Sequence, residues 1–347
     1  MNNRSELLVI NQLCPVSAAD LDSPGSTEIL KCLWITLVTV AIVVLNLLMI
    51  SVLHSRNHTR YLRQQPRMFM TSLACTDLAV GLFVTPLSVY PALYRCWPFG
   101  GFVCAVEALL ISALFHESTL SLVCIAIDRY ICIVLPLRYN SVMTKKVCIT
   151  MIAVSWILST SVYCMMIYPS GEFKFDSQGI LVCEPNYTNT NIIILATVLF
   201  YFPPLVVILY CYYTIFSVAQ KQLRSVQAAP CSVYNELNRC STVQRFQAKE
   251  KLKQYRTAVT LGAIALGFLL AVTPWTLTTL VSSCLEKQLS STVEFTVTWV
   301  AVSNSFWNPI IYGMLNKSFR SIAVKIIRRT FCCKEVNSHV LNYISAK

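Results

Sequence analysis

Seven long apolar runs divide this chain, at about 31–54, 67–94, 101–133, 146–168, 189–218, 255–283 and 293–315. A helix rises about 1.5 Å per residue, so roughly 20 residues cross the ~30 Å hydrocarbon core of a bilayer. Lipid offers the backbone no hydrogen-bond partners, and a crossing segment must satisfy its own N–H and C=O groups, as a helix does. The expectation is an all-α membrane protein, a seven-transmembrane helix bundle. Composition allows little else: at 55 % hydrophobic and 13 % charged, the 347 residues lack the polar surface to coat a water-soluble globule.

The formal charge of +12 would suggest nucleic acid if it were spread evenly, which it is not. With the N-terminus outside, segments 54–67, 129–146, 217–256 and 316–347 face the cytoplasm and hold 23 of the 28 Lys and Arg. That is the positive-inside bias that orients multi-pass proteins, and it implies membrane rather than nucleic acid. Residues 1–30 then form an extracellular tail, 31–315 the membrane domain, and 316–347 a cytoplasmic end. The tail lacks the apolar core of a cleaved signal, so the first run is expected to act as its own insertion signal. No internal repeat supports an inverted-repeat transporter, and no catalytic constellation supports an enzyme.

The third run closes on a charged triplet. Read from Cys104 as CAVEALLISALFHESTLSLVCIAIDRY, it ends in Asp128, Arg129 and Tyr130 at the cytoplasmic face. This run resembles the third helix of rhodopsin-like (class A) G-protein-coupled receptors. The other runs carry matching residues in the family's order: Asn46, then Asp77 within SLACTDLAVGLFVTP, Trp156, Pro204 with Tyr212, Phe268 with Pro274, and Asn308-Pro309-Ile310-Ile311-Tyr312. The resemblance covers about 31–330. AIDRYICIVLPLRYNSVMT looks like the second inner loop of adenosine and amine receptors, and TWVAVSNSFWNPIIYGMLNKSFR looks like amine-related orphan receptors.

The resemblance implies a plasma-membrane receptor that passes an extracellular signal to heterotrimeric G protein, with no chemistry of its own, and that also meets arrestin and receptor kinase. Its activation switch would comprise Asp128, Arg129, Tyr130, Tyr212, Phe268, Pro274, Asn308, Pro309 and Tyr312. Leu137 would enter the G-protein α subunit beside Arg129. Physics adds that Pro204, Pro274 and Pro309 interrupt helix hydrogen bonding and make pivots. Asp77, Ser118, Asn304, Ser305 and Asn308 match the family's buried pocket for a sodium ion, an oxygen-donor set suited to a hard cation. The alternative is that they only hydrogen-bond one another. No other cofactor is implied.

The family's disulfide would join Cys104 to Cys183. Cys14, Cys32, Cys96 and Cys284 also lie near the outer face, and a second bridge such as Cys14 to Cys284 is one of three pairings the sequence leaves open. Asn3 and Asn186 head glycan acceptor triplets facing outward, whereas Asn57 and Asn316 face the cytoplasm and should stay bare. After the seventh run, Phe319, Ile322, Ala323, Ile326 and Ile327 recur at helical spacing among basic residues, marking a short amphipathic eighth helix on the inner leaflet. Cys332 and Cys333 follow it, either as palmitoylation sites or as free thiols.

Several positions depart from the family. Ile111 stands where amine receptors have an Asp, so a simple amine held in the usual way is disfavoured, and Val302 replaces the lysine of opsins. Glu107, one helical turn above Ile111 and sharing its face with Phe115, either pairs a cationic ligand at the pocket mouth or is a solvated outer-end carboxylate. Trp275, Thr276 and Thr298 either line the pocket or pack on neighbours. Val272 and Thr119 replace the usual switch residues, which lends weight to a rival reading: a receptor-fold partner or trafficking protein that signals little. Gln254 replaces the acidic partner of Arg129, predicting raised ligand-free activity unless Glu250 or Gln254 itself substitutes.

Overall fold

The computed structural model describes residues 14, 23–55, 63–167, 173–177, 179–185, 190–227, 240–285 and 289–329. Helix α1 spans Ser26–His54 and α2 Gln64–Phe83; a 3₁₀ turn at Thr85–Ser88 leads into α3, Val89–Tyr94. Next come α4, Gly100–Val134; α5, Tyr139–Val142; and α6, Lys145–Ile167. Strands β1 (Phe173–Phe175) and β2 (Cys183–Pro185) form an antiparallel hairpin with Phe175 opposite Cys183. Helices α7 (Thr190–Gln227), α8 (Cys240–Leu285) and α9 (Ser291–Leu315) follow, and α10 covers 317–329.

Among the described residues, five segments are long and apolar enough to cross a membrane by length and composition, falling in α1, α2 with α3, α4, α7 and α8. Helices α6 and α9 complete the seven. α9 is less uniformly apolar because Ser303, Asn304, Ser305 and Asn308 are buried on its inner face. α1 shows how such helices are built. Ile35, Val38, Ile42, Asn46, Met49 and Leu53 recur at three- and four-residue steps and are buried, while Leu33, Leu37, Val40, Val44 and Leu47 are exposed. A rod apolar on every side needs lipid around its outer face.

Several helix boundaries differ from the sequence reading. The first helix begins at Ser26 rather than at 31, and the second run is not one rod. At Thr85-Pro86 it changes to a 3₁₀ turn, because proline removes a backbone donor and disfavours a helical residue before it. α7 and α8 extend to Gln227 and back to Cys240, beyond the apolar limits, since helices lengthen into water once lipid no longer sets their composition.

α4 is the axis of the bundle, packing against α2, α6, α7, α8 and both strands of the hairpin. α1 and α2 approach closely at Gly81, where an added Cβ would fall 2.6 Å from Ile42 Cγ2. At the cytoplasmic end, α10 buries Phe319, Ile322 and Ala323, and Phe319 meets the Tyr312 ring edge-on at 4.9 Å. Ile327, expected on the same face, is exposed together with Val324, giving α10 a second apolar edge.

Candidate functional site: a polar column through the bundle

Polar side chains stack along α4 from the outer to the inner end of the bundle. At the inner end, Asp128 and Arg129 are both buried. Arg129 donates from Nε to Asp128 Oδ2 at 2.9 Å, and its terminal nitrogen contacts the same oxygen. The other carboxylate oxygen accepts the hydroxyl of Tyr139 from α5 at 2.7 Å. The Arg63 guanidinium lies 5.1 Å from the centre of the Tyr139 ring. Burial, and after it the Asp128 charge, raise the Tyr139 phenol above the usual tyrosine range, so it remains a donor.

Tyr212 and Tyr312 are buried nearby, and neither hydroxyl has a hydrogen-bond partner among the described residues. Tyr130 turns the other way, with its ring 6.0 Å from Tyr210. Leu137 is 98 % exposed in the loop between α4 and α5. The side chains of Glu250 and Gln254, the alternatives for restraining Arg129, lie outside the described residues, as do Asn3, Asn186, Cys332 and Cys333.

Midway, Asn308 donates to Asp77 Oδ2 at 2.8 Å, while Ser118 and Ser305 flank the carboxylate. Asn46 reaches the Ser305 carbonyl at 2.8 Å, joining α1 to α9. Asp77 Oδ1, the Ser118 hydroxyl and the side-chain oxygens of Asn46, Asn304 and Asn308 are all buried without hydrogen-bond partners among the described residues. These five oxygens, one of them the carboxylate's own, leave a demand that a hard cation with water would meet. Pro309 lies one residue beyond, inside α9.

Further out, Phe115 forms the centre of an aromatic group, 5.3 Å from Trp275 and 6.3 Å from Phe268 by ring centroids. Val272 is fully buried in the same core, and Pro274 follows it inside α8. The Thr276 hydroxyl donates back to the Val272 carbonyl of its own helix at 3.1 Å. Ile111 packs against the buried cluster that contains Trp299 of α9, and the adjacent Thr298 is also buried.

Glu107 needs a correction. It is neither a solvated carboxylate nor open at a pocket mouth: it is fully buried, and Oε2 accepts the Cys183 backbone N–H at 2.9 Å. The hairpin covers it, because the Cys104–Cys183 disulfide draws β2 onto α4 beside Trp97 and Phe175. Cys14 pairs with Cys96, not with Cys284, which is exposed and free. The Cys14 N–H also meets the Trp97 carbonyl at 3.4 Å, placing Cys14 on the turn after α3.

Sequence reasoning overlooked Tyr139, which no spacing rule ties to Asp128. Glu117, next to His116 and read from the sequence as a helix-to-helix hydrogen-bonding group rather than part of a zinc motif, is a second buried carboxylate. Its Oε1 accepts from Ser121 at 3.1 Å and from Ser155 of α6 at 2.9 Å.

Comparison with known proteins agrees with the arrangement. The family model of the 7 transmembrane receptor (rhodopsin family) matches residues 45–312. Trace amine-associated receptor 6 of Pan troglodytes is 29 % identical over 337 residues, covering 94 % of each chain. Trace amine-associated receptor 8b of Rattus norvegicus is 30 % identical over 290 residues, 81 % of this chain and 80 % of that one. Dopamine receptor 1 of Drosophila melanogaster is 29 % identical over 307 residues, 80 % of this chain and 59 % of that receptor.

Proposed function

Because this chain belongs to the rhodopsin family of seven-transmembrane receptors, a family that signals through G proteins without enzymatic chemistry, we propose that Asp128 and Arg129 are its switch. The observation that carries the proposal is the shared carboxylate, held by Arg129 on one oxygen and by Tyr139 on the other. A ligand shifts such a protein by binding one conformation better than another. When α8 and α9 pivot at Pro274 and Pro309, Arg129 leaves Asp128, and the unpartnered hydroxyls of Tyr212 and Tyr312 offer it new acceptors. Leu137, exposed beside this end, enters an apolar pocket of the Gα subunit. Arrestin and receptor kinase would dock on the same cytoplasmic face, and α10 would rest on the inner leaflet.

The ligand is an extracellular molecule other than an amine held in the usual way. Trace-amine and dopamine receptors are named for amines, yet Ile111 offers an ammonium group nothing, and Glu107 is engaged under the hairpin. Asp77, Ser118, Asn304, Ser305 and Asn308 would hold a sodium ion, which would neutralise Asp77 and tie α2, α4 and α9 together. Without an acidic residue at Gln254, ligand-free output is raised.

The test is second-messenger output, cAMP and inositol phosphate together, at graded surface expression without ligand, compared with Arg129→Ala. Output that climbs with expression and is lost in Arg129→Ala supports the reading. Arg129-independent output, or none with any added ligand, favours the receptor-fold partner instead.

A further inference from the structure

Between β1 and β2 the hairpin loop turns down into the bundle. Asp176 organises it. Its carboxylate accepts the N–H groups of Gly179 at 3.1 Å and Ile180 at 3.0 Å. Its backbone carbonyl accepts the Leu181 N–H at 3.0 Å, and its own N–H donates to the Val182 carbonyl at 3.2 Å. Leu181 is thereby held at φ 64°, a left-handed conformation that a leucine adopts only when its surroundings enforce it.

The enforced turn puts the Leu181 side chain inside the protein. It is 1 % exposed and belongs to one buried cluster with Ile35 and Ile42 of α1, Val84 after α2, Leu114 of α4 and Trp299 of α9. The Trp299 indole N–H donates to the neighbouring Ile180 carbonyl at 3.2 Å. Ile111, one of the positions read above as a pocket residue, packs against the same cluster. Three devices keep the loop seated: the Cys104–Cys183 bridge, the Glu107 carboxylate on the Cys183 N–H, and Asp176.

We propose that Leu181 is a tethered ligand of this receptor: a branched aliphatic side chain occupying an apolar subsite between α1, α4 and α9 and holding the receptor at rest. The direction comes from the other end of the same structure, where Arg129 is still held by Asp128 and Tyr139. An occupant stabilises the arrangement it is bound in, so the seated loop opposes release of Arg129. The outer occupant thus offsets the cytoplasmic restraint missing at Gln254. A free agonist must displace Leu181 without taking over its hold, whereas a small molecule that presents only a branched apolar group to the Trp299 seat replaces Leu181 and restores rest. This inference rests on the receptor reading above.

Two measurements test it on the full chain in intact cells. In a background with Cys32, Cys164 and Cys284 replaced by serine, Leu181→Cys and Lys174→Cys are labelled with a membrane-impermeant maleimide. A seated tip makes the cysteine at 181 react about tenfold or more slowly than the one at the exposed position 174; equal rates overturn the seat. Leu181→Ala is then expected to raise ligand-free second-messenger output about threefold or more at matched surface level. Millimolar 3-methylbutan-1-ol, which carries the missing isobutyl group, should lower the output of that variant and leave the parent unchanged.

Arg129-dependent output that Leu181→Ala leaves unchanged or lowers overturns the inference, as does raised output that the alcohol does not reduce. Failure of the receptor reading looks different: output is then insensitive to Arg129→Ala in every background. No output from either protein overturns the inhibitory role, and the labelling rates then report the seat alone.

Discussion

Tyr139 binds the side of Asp128 that Arg129 leaves open: its hydroxyl donates to Oδ1 at 2.7 Å while the guanidinium takes Oδ2. The carboxylate is therefore shared between a helix and the loop that follows it. Removing one hydroxyl from a charge-assisted bond costs about 1.5–3 kcal/mol where the bond forms. If the bond is lost on activation, Tyr139→Phe loosens the resting state only, and about 1–2 kcal/mol of that difference changes the active population about 5–30-fold. The variant should show raised ligand-free output at matched surface level, measured as cAMP and inositol phosphate. Because burial and Asp128 hold the Tyr139 phenol above its usual range, its deprotonation is opposed, and this contact should not contribute to any change in output between neutral and mildly alkaline pH. Output equal to that of the parent would assign Tyr139 to packing alone.

The orphaned oxygens around Asp77 bear on cation removal. An ion bound at about ten times its dissociation constant stabilises the folded state by about 1.4 kcal/mol. For a chain of this size, that is a rise of about 2 °C in the melting midpoint. Replacing sodium with choline at constant ionic strength should lower the midpoint of the purified receptor by that amount. Asp77→Asn should abolish the difference. An equal sodium response in both proteins would mean that the ion acts elsewhere.

The helices and the polar column were largely legible in the sequence, because both follow from what lipid forbids. Asp77 and Asp128 in apolar runs required partners, and Asn308 and Arg129 supply them. What could not be read was whatever depends on where loops fold back. Tyr139 precedes no motif, and its role exists only because α5 returns under α4. For Glu107 the sequence left a ligand partner and a solvated carboxylate equally open, because it does not state that a hairpin will cover it. Cys14 could have bridged any of three partners, and the turn at Arg95, with φ 53°, brings Cys96 to it. Such contacts join residues far apart in sequence, and local periodicity carries no record of them.

The tail bridge is open to chemical test. If Cys14 and Cys96 are paired, Cys14→Ser exposes a thiol at Cys96, and Cys96→Ser exposes one at Cys14. Each should add one maleimide-reactive group in intact cells. Cys284→Ser should instead remove one, since Cys284 is already free and exposed. Mass spectrometry of the labelled receptor reads all three. A gain of label in Cys284→Ser would restore the Cys14 to Cys284 pairing.

Glu117 stands between α4 and α6 with Ser121 on one side and Ser155 on the other, and its second oxygen is buried with no hydrogen-bond partner among the described residues. In lipid an interhelical polar contact is worth about 0.6–2 kcal/mol, and a charge there costs more than a neutral acid. Ser155 also lies 2.8 Å from the Ile152 carbonyl, and one hydroxyl hydrogen cannot serve both acceptors. When it serves the carbonyl, the remaining contact at 2.9 Å is satisfied only if Glu117 carries a proton and donates. Glu117→Gln keeps a donor and an acceptor of nearly the same shape. It should therefore lower the melting midpoint little, by less than about 2 °C. Glu117→Ala loses the contacts and leaves a cavity, costing about 2–4 kcal/mol and several degrees. A Glu117→Gln protein as unstable as Glu117→Ala would mean that the carboxylate is charged and that its charge, not its hydrogen bond, holds α6 in place.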